Sequence, residues 1–90
     1  MAKSRKSSTA LDRLLESLSH CFDASTARAV IELRQDAFVR KRMRELGVKA
    51  SAGRLSVNEQ SEYAALIEVS DIIATLQLKA RRRLAGLQAA

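Results

Sequence analysis

Few residues in this sequence have types and spacings suited to catalysis or metal binding. His20 and Cys21 are the single histidine and the single cysteine, and adjacent helical residues point about 100° apart, so they do not form a nucleophile–base pair. We expect Cys21 to be a small buried residue and His20 to be a polar residue in the last turn of a helix. One histidine with one cysteine is also a poor basis for a zinc site.

The glycines do not form a phosphate-binding loop, because Gly47, Gly53 and Gly86 are scattered along the chain. Together with the isolated pair of His20 and Cys21, this predicts that the protein is not an enzyme. It also predicts no cofactor, no bound metal ion and no small-molecule substrate.

The length and composition of the chain limit the folds available to it. It has 90 residues, of which 47% are hydrophobic and 3% aromatic, with no proline and a formal net charge of +6. This length suits one domain, and the apolar content is too high for general disorder. No apolar run approaches the ~18 residues of a membrane span, and no apolar segment of a secretory signal follows the basic N-terminus. The sequence therefore predicts a cytoplasmic protein that does not bind membranes.

The spacing of apolar residues predicts helices over residues 9–22, 24–35, 37–51 and 57–87. We predict one helical domain over residues 9–90, preceded by a flexible basic tail over residues 1–8. Gly53 suits the left-handed conformation that ends a helix. The candidate N-cap residues are Thr9, Asp23 or Ser25, Asp36, and Ser56 in a capping box with Glu59.

The last predicted helix is much longer than the others. About 30 residues give ~45 Å of helix, whereas each earlier helix spans about 18–22 Å. One short helix therefore cannot cover the long one. The sequence predicts an all-α fold, a four-helix array in which three short helices pack on one long C-terminal helix, either in a dimer or bound to a partner.

The long helix carries two apolar stripes, although a monomeric surface helix needs only one. The larger stripe, which is suited to a core, comprises Leu66, Val69, Ile72, Ile73, Leu76, Ala80, Leu84 and Leu87. The smaller comprises Tyr63, Ile67, Ala74 and Leu78, with Asp71 beside it. Either the short helices cover both sides, or the smaller stripe is the interface for a partner or a second copy. Asp71 is then either an exposed acid at the edge of that stripe or a buried acid that fixes partner and register.

Charge is segregated along the chain. Residues 1–8, 37–55 and 79–90 are basic, whereas residues 9–36 and 56–78 are acidic. The basic clusters within residues 37–55 and 79–90 comprise Arg40, Lys41, Arg42, Arg44, Arg81, Arg82 and Arg83. With the basic tail, they are either solvated helix faces, a polyanion-binding surface or a contact for an acidic protein. Few aromatic residues are available to stack on bases, so base-specific recognition is not expected.

The segment from Gly53 to Tyr63, GRLSVNEQSEY, resembles a segment with the pattern G-x-L-T-x-E-E-x-x-E-Y in a family of small uncharacterised bacterial all-helical proteins. In that family an apolar stretch with a central acid and an L-Q-x-K-A-R ending follow, and the counterparts here are Asp71 and residues 76–81. Residues 29–34, AVIELR, are also similar, while Ala37 and Val57 stand where proline is common in the family. Genes of this family often lie beside a gene for an HNH-type endonuclease. The resemblance therefore implies a small partner or regulator of a nuclease.

We thus predict a non-catalytic protein–protein interaction module, such as an adaptor, an accessory subunit or an antitoxin-like regulator of a nuclease. Apolar residues of the long helix supply the binding energy in this interpretation, and the arginine clusters steer an acidic partner. The alternative is a basic protein that binds nucleic acid largely without sequence specificity, through contacts that weaken steeply with salt.

Overall fold

Four α-helices make up the described chain in the computed structural model, which describes the backbone of residues 2–89 and the side chains of residues 9–89. They are α1 (Ala2–Ser19), α2 (Ala24–Ile31), α3 (Ala37–Ser51) and α4 (Val57–Ala89). Residues 2–89 contain no β-strand. α4 is the longest helix, with 33 residues, and it exchanges side-chain hydrogen bonds with each of the other three. The predicted all-α fold, with three shorter helices on one long C-terminal helix, is confirmed.

The helix starts follow the capping residues of the sequence. Asp23 accepts a hydrogen bond from the Thr26 N–H at 2.7 Å, and Asp36 accepts one from the Phe38 N–H at 2.7 Å. Before α4, the Glu59 N–H donates to Ser56 Oγ at 3.1 Å, and the Ser56 N–H donates to Glu59 Oε1 at 3.0 Å. These bonds satisfy backbone donors that the first turn of a helix leaves unpaired. The predicted N-caps Asp23 and Asp36 and the predicted capping box are therefore confirmed.

The end of α3 also follows the sequence, because Gly53 has a φ of 67°. Glycine adopts this left-handed conformation without the steric penalty of a Cβ atom. The Gly53 N–H donates to the Ala50 carbonyl at 3.0 Å, and the Arg54 N–H donates to the Lys49 carbonyl at 2.9 Å. α3 consequently occupies residues 37–51, as predicted.

The predicted bounds of the first two helices are wrong. α1 begins at Ala2 and not at Thr9, because no proline or glycine interrupts residues 2–8. It ends at Ser19, where the chain tightens into three-residue turns that lead to Phe22. The side chains of the predicted tail, residues 1–8, lie outside the described residues, so its flexibility stays a prediction.

α2 ends at Ile31 and not at residue 35 because a side chain of α4 satisfies its terminal carbonyls. Gln77 Nε2 lies 3.2 Å from the Val30 carbonyl oxygen and 3.4 Å from that of Ile31. It also donates to the Leu33 carbonyl at 2.9 Å. The carbonyls at the end of a helix need such partners when no further turn follows.

The chain forms two compact units. The first comprises Met1–Leu33 and Ile73–Ala90. Its core is a cluster of Phe22, Ala27 and Ala80, which are 8%, 0% and 0% exposed. The half-buried residues packed against this cluster are Val30, Ile31, Leu76 and Leu84.

The second unit comprises Arg34–Ile72, which includes α3 and the first part of α4. Leu46 is its fully buried side chain, with 0% exposure. Val39, Met43 and Ala50 share the inward face of α3 with Leu46 and are half-buried. Gln35 Nε2 donates to Ser70 Oγ at 2.8 Å. The single domain predicted over residues 9–90 thus contains two compact units, and its integrity as one domain stays a prediction.

None of the described helices combines the length and the apolarity that crossing a bilayer requires.

Candidate interaction site

Four of the five residues predicted to form the partner interface are exposed on α4. They are Ile67, Asp71, Ala74 and Leu78, and we call this set the open face of α4. Ile67 is 40% exposed and Leu78 is 49% exposed, which is high for large apolar side chains. Their spacing of four, three and four residues keeps them on one side of the helix. The described side chains therefore leave this apolar stripe uncovered.

Tyr63, the fifth predicted interface residue, is half-buried. A Cβ atom placed on Gly47 of α3 would lie 3.4 Å from the Tyr63 hydroxyl oxygen. This close approach shows that Tyr63 packs beside α3, so we leave it out of the open face.

The larger stripe of α4 faces the other helices, with one exception. Ala80 is buried, and Val69 is 51% exposed. The remaining residues of the stripe are half-buried, namely Leu66, Ile72, Ile73, Leu76, Leu84 and Leu87. The prediction that this stripe is the core face is thus wrong only at Val69.

Asp71, whose burial the sequence left open, is exposed. No hydrogen bond or ion pair joins its carboxylate to another described side chain. The alternative in which Asp71 is buried and paired within the monomer is therefore wrong. A role in partner choice or register stays a prediction.

Lys79 is a buried residue that the sequence analysis missed. It is 5% exposed, and its Nζ atom lies 2.9 Å from Glu16 Oε1 and 3.1 Å from Asp12 Oδ1 on α1. These contacts raise the pKa of Lys79, and the hydrogen bond from Lys79 lowers the pKa of Glu16. The sequence signal was the placement of Asp12 and Glu16 one turn apart on α1, facing a lysine whose long stem can lie against apolar residues.

Arg42 belongs to an ion-pair network, not to a free basic surface. Its guanidinium donates two hydrogen bonds to Glu62, at 2.9 Å and 2.8 Å. It also lies 3.4 Å from a Glu45 oxygen and 3.9 Å from a Glu59 oxygen. The fork geometry suits a carboxylate, and it lowers the pKa of Glu62 and raises that of Arg42. Arg42 therefore stabilises the contact of α3 with α4 and is not available to a polyanion.

Arg83 is also engaged within the chain. It is half-buried, and its Nε atom donates to the Phe22 carbonyl oxygen at 3.1 Å. This bond satisfies a carbonyl at the turn between α1 and α2. This bond engages only the Nε atom, and the place of Arg83 in the basic contact surface stays a prediction.

The other predicted basic residues remain exposed. Arg40, Lys41 and Arg44 lie within about 100° of one another around α3, and we call them the α3 cationic face. Arg81 and Arg82 are exposed on α4. Arg81 borders an open cavity together with Arg28 of α2 and with Glu32, which directly follows α2. Within residues 9–89 none of these five predicted contact residues forms an ion pair or a side-chain hydrogen bond.

The pair of His20 and Cys21 differs from its prediction in two respects. His20 directly follows α1 and does not lie in its last turn. Cys21 is exposed, not buried, with its Sγ atom 3.8 Å from the Ser17 carbonyl oxygen. It follows the last turn of α1, where Phe22 takes the inward position. His20 is also exposed and lies 3.0 Å from Glu16. His20 borders a partly open cavity together with Glu16 and Lys79. The prediction that the chain is not an enzyme stays a prediction.

The substitution Glu59→Gln should make the stability of the fold less dependent on pH in the acidic range. Lys49 Nζ lies 2.6 Å from Glu59, and this contact together with the Ser56 N–H lowers the pKa of Glu59 from 4.5 to about 2. Because this folded-state pKa lies below the unfolded value, the carboxylate stabilises the fold above pH 4.5, and its contribution is lost as pH falls towards about 2. Thermal melts should show a Tm deficit of the variant near neutral pH that disappears near pH 2.

Glu32→Gln is the matched control for this measurement. Glu32 is exposed directly after α2 and makes no ion pair with a described side chain. Its variant should differ from the wild type by the same small amount at both pH values. A Tm deficit of Glu59→Gln that does not change with pH would show that the contact of Lys49 with Glu59 is not formed in solution.

No protein-family model matches the chain, and neither a curated protein nor a solved structure matches it. The resemblance to the bacterial helical family and the cytoplasmic location stay predictions.

Proposed function

We propose that this chain is a non-catalytic protein-interaction module that binds its partner through the open face of α4. The exposure of Ile67 and Leu78, at 40% and 49%, carries this proposal. Contiguous exposed apolar residues commonly mark interaction sites. Residues 67, 71, 74 and 78 also have the i, i+4, i+7 and i+11 spacing by which a helix anchors in a groove or against another helix.

Charge adds selectivity to this apolar face. Asp71 lies between Ile67 and Ala74 and has no partner among the described side chains. A bound partner therefore has to supply a basic or hydrogen-bonding group there, because an unpaired carboxylate is costly to bury. A role as an adaptor, an accessory subunit or an antitoxin-like regulator of a nuclease fits such a surface.

The double variant Ile67→Ser/Leu78→Ser should lose stoichiometric partner capture. The tagged full chain is incubated with nuclease-treated lysate of its native cell, and retained proteins, including untagged copies of the chain, are quantified by mass spectrometry. Because both side chains are already exposed, the variant should keep the helical content of the wild type. Its retained partner should fall at least about tenfold, since truncated anchors at the centre of an interface commonly cost more than ~1.4 kcal/mol together.

Val57→Ser/Val69→Ser is the matched control. These valines are 79% and 51% exposed on the same helix but lie off the open face. The control should retain the partner as the wild type does. Equal retention by both double variants would exclude the open face of α4 as the interface.

Nucleic-acid binding is a second candidate, favoured by the α3 cationic face. Arg40, Lys41 and Arg44 project from one side of α3 without an ion pair among the described side chains, as phosphate contacts require. The capture is repeated with untreated lysate. Hits that are present there but vanish on nuclease treatment and in the variant Arg40→Gln/Lys41→Gln/Arg44→Gln would support this candidate. Hits that survive both changes support the protein partner.

A further inference from the structure

The exposed side of α4 continues beyond the open face in the spacing of a coiled coil. Six residues follow one another at alternating steps of four and three, and all six are exposed: Ile67, Asp71, Ala74, Leu78, Arg81 and Ala85. We call this set the α4 seam. Such a repeat keeps one line of a helix against a second helix over several turns. Because the α4 seam has a regular repeat and all its residues are exposed, it is suited to contact with a second helix.

The seam is complementary in size to an antiparallel copy of itself. Consider two α4 helices related by a two-fold axis that passes beside Leu76. Ile67 then faces Ala85 of the partner subunit, and Ala74 faces Leu78 of the partner subunit. Each layer joins a large side chain to a small one, which is how facing helices fill the space between them.

The same register is complementary in charge. Asp71 faces Arg81 of the partner subunit, and the symmetry repeats the pair. Next to the seam, Glu68 comes near Arg82 of the partner subunit, and this pair is also repeated. All four of these side chains are exposed and lack an ion pair among the described side chains, so the charges are free to pair between copies.

Other arrangements of the same two helices lack this complementarity of charge. A parallel pair places Asp71 against Asp71 and Arg81 against Arg81, and facing like charges are unfavourable. An antiparallel pair shifted by one heptad places Asp71 against Ala74 or Gln88 of the partner subunit, depending on the direction of the shift, and leaves the charge of Asp71 without an opposite charge. In the antiparallel register centred beside Leu76, every charged residue of the seam faces a residue of opposite charge.

We propose that the partner of the open face is a second copy of this chain, bound through the α4 seam as an antiparallel two-fold dimer. This inference rests on the proposed function and names its partner. The interface is isologous, so both copies contribute the same residues and each contact occurs twice. Asp71 and Arg81 set the register, and Ile67 and Leu78 supply the apolar contact.

Charge reversal tests this dimer. Sedimentation of the purified chain between about 1 μM and about 1 mM, the range in which modest interfaces dissociate, should show a monomer–dimer equilibrium. Asp71→Arg presents arginine at both seam positions, and Arg81→Asp presents aspartate at both. Each single variant should associate at least about tenfold more weakly than the wild type, because two like-charge contacts replace two attractive ones.

Mixing the two single variants should restore association, because one then supplies both arginines and the other both aspartates. The double variant Asp71→Arg/Arg81→Asp should also associate like the wild type. Arg54→Asp makes the same change in net charge as Arg81→Asp at an exposed position away from α4, and it should leave association unchanged. A mixture that associates no better than its separate components would overturn the proposed register.

A spin-label distance fixes the orientation. With Cys21→Ser removing the exposed native thiol, a label on Gln88→Cys reports one site per copy. The antiparallel register predicts labels about 36 Å apart along the helix axis, and the two one-heptad shifts predict about 46 Å and about 26 Å. A parallel pair predicts labels about 10 Å apart, the distance between the two helices. Any of the last three distances overturns the proposal.

Failure of the dimer is distinguishable from failure of the interaction module. A wild-type chain that stays monomeric up to about 1 mM overturns the dimer. If its capture of another protein still depends on Ile67 and Leu78, the proposed function stands. If that capture is also independent of both residues, both proposals fail.

Discussion

Phe22→Ala should lower the free energy of unfolding by about 3 kcal/mol, near the lower end of the range for buried phenylalanine. Phe22 is 8% exposed and forms the first core cluster with Ala27 and Ala80. Truncation removes most of its buried apolar surface and leaves a cavity that the two alanines are too small to fill. Half-buried neighbours can partly close the cavity, which is why the loss is not larger. In a chain of this size, Tm should fall by roughly 12–24 °C.

Phe38→Ala is the control, because the same atoms are removed from an exposed position. Phe38 is 75% exposed at the start of α3, and its variant should stay within about 0.5 kcal/mol of the wild type. Thermal melts followed by circular dichroism compare the three proteins at one concentration, since self-association shifts Tm. Equal losses for both phenylalanine variants would contradict the packing of Phe22 on α2 and α4.

Local signals in the sequence predict the helices wherever side chains mark both ends. Asp36 and Gly53 bound α3, and the observed helix has the predicted limits. The first helix is predicted to start at Thr9, a candidate N-cap just before the first apolar residues, but α1 begins at Ala2. The end of α2 depends on Gln77, which lies 44 residues from Leu33 along the chain. A contact of that range is invisible to local periodicity.

The candidate site also combines features that local sequence predicts with features that depend on packing. Periodicity predicts two apolar stripes on α4, but which stripe is covered depends on where α1, α2 and α3 pack. The helix lengths indicate only that one short helix cannot cover α4, and the structure leaves Ile67 and Leu78 exposed. The basic residues were harder to predict, because Arg42 and Arg83 are engaged by a carboxylate and a carbonyl that are distant in sequence. Net charge counts such residues but does not say which of them are free.

The buried lysine illustrates why polar burial is hard to predict from one helix. Lys79 lies next to Ala80 in sequence, and both are buried, although helical periodicity places Lys79 outside the larger apolar stripe. Its burial is tolerated because Asp12 and Glu16 supply the opposite charge. Only the packing of α1 against α4 brings these groups together.

Leu46→Ala should destabilise the fold by about 2–5 kcal/mol, the range for a fully buried leucine. Leu46 is 0% exposed and is the buried residue of α3. Its neighbours on the same face are only half-buried, so the inward packing of α3 depends on this side chain more than on any other described residue of that helix. Urea unfolding followed by circular dichroism should show a lower midpoint with an unchanged m-value, because the surface exposed on unfolding stays nearly the same.

Val48→Ala separates packing from helix propensity in this test. Val48 lies two residues from Leu46 on the same helix but is 67% exposed. Alanine favours the helix over valine by a few tenths of a kcal/mol, so this variant should be as stable as the wild type or slightly more stable. If Leu46→Ala is equally harmless, the inward face of α3 does not pack on α4 in solution. A loss confined to Leu46→Ala shows that α3 is held by its apolar face as well as by the ion pairs of Arg42, which this substitution leaves in place.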